Sequence, residues 1–201
     1  GDSYFYSDQG EACLRCLPGT EPSLQRTSCV ACVGKYSVDG RQCLSCATGA
    51  QPSVPSLATN CTSCGSISSS HVSSGGATCV GCAFGKEPTA DRGGCQDCDA
   101  GEYSDGSACL SCPAGSMPED DQSGCRQCQL DGDNMHSSDG VSCIACSPGS
   151  EPVENRSACV ACVSIGVAHV SSTGAQCTVC GAGSQPNAER TACVSCIEQG
   201  D

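Results

Sequence analysis

Tryptophan is absent from this chain of 201 residues, and phenylalanine occurs only twice and tyrosine four times. That excludes a core built on large rings, and because leucine, isoleucine and valine are also sparse, no hydrophobic core of ordinary size can form. Lysine is confined to Lys35 and Lys86, and 9 Lys and Arg against 22 Asp and Glu give a formal net charge of −13. Such a chain repels a phosphate backbone and an anionic bilayer, which excludes nucleic acid as a partner. Its acidity serves solubility. No apolar run approaches the roughly 20 residues of a membrane span, so direct membrane insertion is not expected. The opening residues, GDSYFYSDQG, lack the basic and apolar regions of a signal peptide, as in a mature segment.

What is abundant is cysteine, 24 residues, the mark of a disulfide or metal scaffold rather than a packed domain. Every cysteine belongs to a Cys-x-x-Cys pair. The twelve pairs are Cys13 and Cys16, Cys29 and Cys32, Cys43 and Cys46, Cys61 and Cys64, Cys79 and Cys82, Cys95 and Cys98, Cys109 and Cys112, Cys125 and Cys128, Cys143 and Cys146, Cys159 and Cys162, Cys177 and Cys180, and Cys193 and Cys196. The loops between them alternate between two kinds, so the repeating unit is a double loop.

The first kind reads LPGTEPSLQRTS, ATGAQPSVPSLATN, AFGKEPTADRGG, PAGSMPEDDQSG, SPGSEPVENRSA and GAGSQPNAERTA. Glycine stands three residues after the preceding cysteine every time, from Gly19 to Gly183, and proline six after it, from Pro22 to Pro186. Fixed punctuation means fixed backbone, a turn directly after the crosslink and then an extended segment. Arg26, Arg92, Arg156 and Arg190 share the tenth position. They read as solvated loop arginines paired with a nearby acid, in preference to a basic face.

The second kind reads VGKYSVDGRQ, GSISSSHVSSGGAT, DAGEYSDGSA, QLDGDNMHSSDGVS and VSIGVAHVSSTGAQ, with YFYSDQGEA an incomplete copy. Each has a ring at a matching place, Tyr6, Tyr36 and Tyr103 in the short loops and His71, His136 and His169 in the long ones. The tyrosines are expected to lie over disulfides. The histidines, each in a different repeat, argue against a shared metal or pH-sensing site. Tyr-Ser-x-Asp-Gly patterns predict brief β-hairpins. The chain stops in what reads as the start of a second-type loop and opens in the remainder of one, so it is expected to belong to a longer array or to join copies head to tail.

The same spacing also serves zinc ribbons. Six four-thiolate zinc sites would take the net charge to about −25 with almost no lysine to compensate, so disulfides are preferred. A redox Cys-x-x-Cys needs a helix in a βαβ setting, which twelve Gly/Ser-rich copies do not provide. Strain disfavours a bond inside a pair, and three schemes follow. Neighbouring pairs can be doubly linked, as Cys13 to Cys29 with Cys16 to Cys32 and Cys43 to Cys61 with Cys46 to Cys64, the preferred scheme. The same pattern can be shifted by one pair. Or each loop can be closed singly, as Cys16 to Cys29 and Cys32 to Cys43, leaving Cys13 and Cys196 to pair elsewhere. Each keeps the crosslinks local.

The motif Cys-x-x-Cys-x-Pro-Gly-Ser/Thr, as CLRCLPGT and CIACSPGS and more loosely CLSCPAGS, alternates with Gly-x-Tyr-Ser, as GKYS and GEYS. In this the chain resembles the ephrin-receptor-like, growth-factor-receptor cysteine-rich repeat. It is also similar to tumour-necrosis-factor-receptor-type modules and to cysteine-rich surface antigens of protists. The resemblance implies an extracellular rod of disulfide-linked hairpins, used in ectodomains, coats and filaments. Asn60 (Asn-Cys-Thr) and Asn155 (Asn-Arg-Ser) are N-glycosylation acceptors, Asn155 the better because Cys61 competes for its own crosslink. The runs SISSSHVSS and HVSST could carry O-glycans.

These readings converge on a small disulfide-rich fold: an elongated tandem-repeat rod of short β-hairpins and irregular loops, with no helix of consequence and no single hydrophobic core. Its approximate repeats are 1–32, 33–64, 65–98, 99–128, 129–162 and 163–196. The expected function is that of an extracellular, glycosylated structural or adhesive protein of a surface coat, appendage or filament. Its partners are copies of itself, other surface or matrix proteins, and glycans. A ligand-binding receptor ectodomain is the alternative, and an intracellular four-cysteine zinc array the second. No catalytic residues and no cofactor are expected, since no acid, base and nucleophile converge.

Overall fold

The computed structural model describes residues 5–7, 9, 10 and 12–196. It resolves into two-stranded antiparallel hairpins, eleven of them among the described residues, and none is joined to another in a wider sheet. They occupy two compact units, one up to Asp97 together with Asp105–Ala108, the other Cys98–Ser104 together with the residues from Cys109 on.

Each first-type loop makes a hairpin of two three-residue strands. In the first unit these are Thr20–Pro22 with Cys29–Ala31, Ala50–Pro52 with Cys61–Ser63, and Lys86–Pro88 with Cys95–Asp97. In the second they are Ser116–Pro118 with Cys125–Gln127, Ser150–Pro152 with Cys159–Ala161, and Ser184–Pro186 with Cys193–Ser195. The recurrent proline closes the first strand in every case. With no N–H to lend, it stops the ladder where the chain turns.

Second-type loops make shorter, two-residue hairpins, such as His71–Val72 with Val80–Gly81 and Met135–His136 with Ile144–Ala145. In the loop of Tyr36 the pairing shrinks to a bridge between Tyr36 and Leu44. The three long loops spend their extra residues on one helical turn after a buried cysteine, Cys64–Ile67, Cys128–Leu130 and Cys162–Ile165. No helix of the described residues is long and apolar enough to cross a membrane.

Eleven disulfides close the loops one by one, from Cys16–Cys29 and Cys32–Cys43 to Cys162–Cys177 and Cys180–Cys193. This corrects the preferred scheme: Cys13–Cys29, Cys16–Cys32, Cys43–Cys61 and Cys46–Cys64 are not formed, and Cys13 and Cys196 are free and exposed. The reason lies in the pair itself. The first cysteine sits on an extended strand, where side chains alternate faces, so residues i and i+3 project in opposite senses. Cys29 therefore reaches back to Cys16, while Cys32 reaches forward to Cys43. Closing a loop of this size removes about 3 kcal/mol of unfolded-chain entropy per crosslink.

The interior is made of sulfur and serine. Cys16, Cys32, Cys46, Cys64, Cys112, Cys128, Cys146 and Cys162 are buried, with Ala58, Val72 and Val170 and with Ser37, Ser73, Ser104, Ser116, Ser137 and Ser171. Meanwhile Leu24, Val33, Leu130 and Val167 stand in solvent. The crosslinks, rather than buried apolar area, stabilise this fold.

Candidate functional site

For a chain of crosslinked hairpins, the surface that decides behaviour is the joint between one repeat and the next. At its centre is the serine that follows each ring by one or two residues. The N–H of Ser73 donates to the carbonyl of Arg92 at 2.8 Å, that of Ser104 to Gln122 at 2.9 Å, that of Ser137 to Arg156 at 2.9 Å and that of Ser171 to Arg190 at 2.9 Å. In the other direction the serine carbonyl accepts an N–H from the preceding first-type loop. Gly49 donates to Ser73 at 2.8 Å, Gly115 to Ser137 at 2.7 Å and Gly149 to Ser171 at 2.7 Å. The serine Oγ caps its own turn, accepting the N–H of Gly76 or Gly140 three residues on at 3.1 Å. Ser73, Ser137 and Ser171 thus each couple three loops, and their burial is accounted for by bonded backbone and hydroxyl.

The loops approach too closely for a side chain. A Cβ on Gly76 would lie 2.0 Å from the Cys46 carbonyl oxygen, and one on Gly174 the same distance from that of Cys146. Both glycines have positive φ, 69° and 79°. The fixed glycine of the turn is therefore demanded by conformation and by contact together.

Among the described residues Arg92, Arg156 and Arg190 donate to backbone carbonyls and not to acids, a correction to the sequence expectation for these three. The Arg156 guanidinium donates to the carbonyls of Gly132, Asp133 and Met135 at 3.1, 2.9 and 3.1 Å. Arg92 does the same to Ser68, Ser69 and His71, and Arg190 to Gly166, Val167 and His169. These three arginines face the three long loops, whose helical turn leaves carbonyls without intrahelical donors. Opposite the short loop of Tyr103 stands Gln122, whose amide reaches the Glu102 carbonyl at 3.2 Å. The backbone of each arginine is left-handed, φ 55° at Arg92 and 54° at Arg156, a strain the clamp offsets. The carbonyl of Arg26 accepts the N–H of Ser7 at 2.9 Å; the four residues before Phe5 lie outside the described residues.

A second device was also hidden in the pattern. The residue before the fixed proline accepts the N–H of the cysteine that closes the next loop, Glu21 from Cys43 at 2.7 Å, Gln51 from Cys79 at 2.7 Å, and Glu151 from Cys177. The signal was present as a Glu or Gln before proline in five of the six loops.

Of the sequence-predicted acceptors, both asparagines are exposed. Asn155 is held in a side-chain turn, its Oδ1 accepting the Ser157 N–H at 3.2 Å and the Ser157 hydroxyl at 2.8 Å. Asn60 precedes Cys61, which is tied to Cys46. Among the serines offered as O-glycan carriers, Ser73 and Ser171 are buried, while Ser69, Ser74 and Ser172 are exposed.

The three histidines differ in their surroundings. His71 Nδ1 lies 3.3 Å from the Ser70 hydroxyl. His169 Nδ1 is buried without a hydrogen-bond partner among the described residues. His136 faces a crosslink, its Nδ1 3.2 Å from Cys159 Sγ and 3.6 Å from Cys146 Sγ.

Four aspartates are held below the usual carboxylate range by donors from the turn that follows. Asp91 is lowered by the Gly93 N–H and then the Thr89 hydroxyl. Asp105 and Asp121 are lowered by the hydroxyl and N–H of Ser107 and of Ser123, and Asp139 chiefly by the Val141 N–H. Concavities are shallow. One in the first unit, about 320 Å³, has Val33, Pro52, Val54 and Pro55 in its wall.

No protein-family model matches the chain, and no curated protein matches it.

Proposed function

We propose that this chain is an extracellular, non-enzymatic structural or adhesive repeat protein, a crosslinked array forming part of a surface coat, appendage or filament and glycosylated at Asn155. The observation that carries the reading is the joint, in which the serine, glycine and arginine positions are all spent on holding one repeat to the next. Eleven disulfides require oxidising surroundings, and the outside of the cell is the setting that fits the acidic surface and the exposed Asn155 acceptor. The mechanism is mechanical. Short covalent loops keep a chain without an apolar core folded under load or in protease.

A ligand-binding ectodomain is the second reading, which the apolar cleft at Val33, Pro52, Val54 and Pro55 favours. The test is the intact mass of natively expressed protein, alkylated without reduction, before and after deglycosylation, with metal analysis and a protease challenge. Sugar at Asn155, no zinc, no alkylation within the eleven loops and survival until reduction are expected. Alkylation of most thiols after chelation, with bound zinc before it, would instead establish a metal scaffold.

A further inference from the structure

We propose that Cys146–Cys159 is the exchange-labile crosslink of the array, a thiol–disulfide exchange site at which the His136 ring, in contact with both sulfurs, lets a small monothiol open it. Three observations lead there. First, Cys159 is exposed, as are Cys95 and Cys193, so three of the eleven disulfides offer an exposed residue to an attacking thiolate. Second, Cys146 is buried, 3% exposed, so its thiolate would form in a poorly hydrated place. Third, the imidazole reaches both sulfurs, with Nδ1 3.2 Å and Nε2 3.7 Å from Cys159 Sγ and Nδ1 3.6 Å from Cys146 Sγ. Among the described residues no such ring contact is recorded at Cys82–Cys95 or Cys180–Cys193.

The chemistry is a two-step reduction by two equivalents of thiol. A monothiolate attacks Cys159 Sγ; its new S–S bond forms as the Cys146–Cys159 bond breaks, and the electron pair goes to Cys146 Sγ. The Nδ1 edge of the His136 ring beside it stabilises the departing thiolate, which takes its proton from solvent. A second thiolate then attacks the external sulfur of the mixed disulfide, releasing Cys159 as a thiolate that takes a proton and a small-molecule disulfide as product. A leaving thiol of lower pKa leaves faster, and a hydrogen bond to its thiolate lowers it.

The ring is fixed for this role by Ile144, whose carbonyl lies 3.0 Å from Nδ1, and by its strand pairing with that residue. The Arg156 guanidinium is held on the carbonyl of Met135, the residue before the ring. The ring partners recorded are the Ile144 carbonyl and the two sulfurs. Opening this link frees the loop that carries both Arg156 and Asn155, so the joint and the glycan acceptor loosen together.

The test treats the disulfide-bonded chain briefly with reduced glutathione at about pH 7.5, traps thiols with N-ethylmaleimide, and maps them by peptide mass spectrometry. The quantity read is opening of Cys146–Cys159 relative to Cys82–Cys95 and Cys180–Cys193. The ratio should fall about threefold to tenfold in His136→Tyr, the residue that short loops carry at this position, and in His136→Gln. A ratio that either variant leaves unchanged overturns the proposal.

Discussion

The backbone N–H of Ser137 donates to the carbonyl of Arg156 at 2.9 Å while the side chain of the same arginine grips the carbonyls of Gly132, Asp133 and Met135. One residue thus holds the neighbouring loop by both its backbone and its guanidinium. The left-handed φ of 54° at Arg156 is what lets the two point the same way.

Replacing Arg156 separates conformation from clamp. Arg156→Ala removes the guanidinium and keeps the left-handed strain that Arg156 already bears, whereas Arg156→Gly removes both. Loss of charge-assisted bonds should cost the joint about 2 kcal/mol in the alanine variant, and about 1 kcal/mol less in the glycine variant. Amide hydrogen exchange over residues 133–137 reads both, and equal protection in the native chain and the alanine variant would show that the clamp contributes nothing.

Glycines of positive φ divide by what faces them. Gly174→Ala sets a methyl 2.0 Å from the Cys146 carbonyl oxygen, whereas Gly183, φ 83°, has nothing within 4 Å. Gly174→Ala should therefore give scrambled disulfides on refolding. Gly183→Ala should refold to the native map with a loss of about 1–2 kcal/mol. Disulfide mapping after oxidative refolding distinguishes them.

The carboxylate of Glu151 accepts the Cys177 N–H, a place that Gln51 fills in an earlier repeat toward Cys79. Glu151→Gln should be neutral, and Glu151→Ala should cost about 1 kcal/mol by leaving a half-buried donor unpaired. Exchange of the Cys177 amide is the readout. A change on going to glutamine would mean that charge, and not the acceptor, matters here.

Acid should loosen the turns before it touches the crosslinks. Asp91, Asp105, Asp121 and Asp139 titrate lower in the fold than in an unfolded chain, because turn donors favour the ionised form. Their contribution is complete above about pH 3.9 and disappears as the pH falls through the lowered folded values. Faster exchange of the Gly93, Ser107, Ser123 and Val141 amides below that pH, with no change in disulfide map, is expected. Exchange that is flat after correction for its intrinsic pH dependence would count against these turns.

The sequence by itself determined the class of the fold. Twelve cysteine pairs, the alternation of two loops, the turn glycine and the strand-ending proline all act within a few residues, so they are visible as spacing, and they led to hairpins stapled by local crosslinks. The tertiary structure decided what spacing leaves degenerate. Which cysteine bonds which depends on the opposite facing of residues i and i+3 on a strand, so Cys29 turns back and Cys32 turns forward. Ser73 and Ser171 lie in runs offered as glycan carriers, yet they are buried, as are Ser37 and Ser137, because each meets the loops of two neighbouring repeats. Arg92, Arg156 and Arg190 looked like partners for local acids, but their donors serve carbonyls 21 to 24 residues earlier. A local pattern carries the hairpin; contacts at that separation exist only after the crosslinks have brought one repeat against the next.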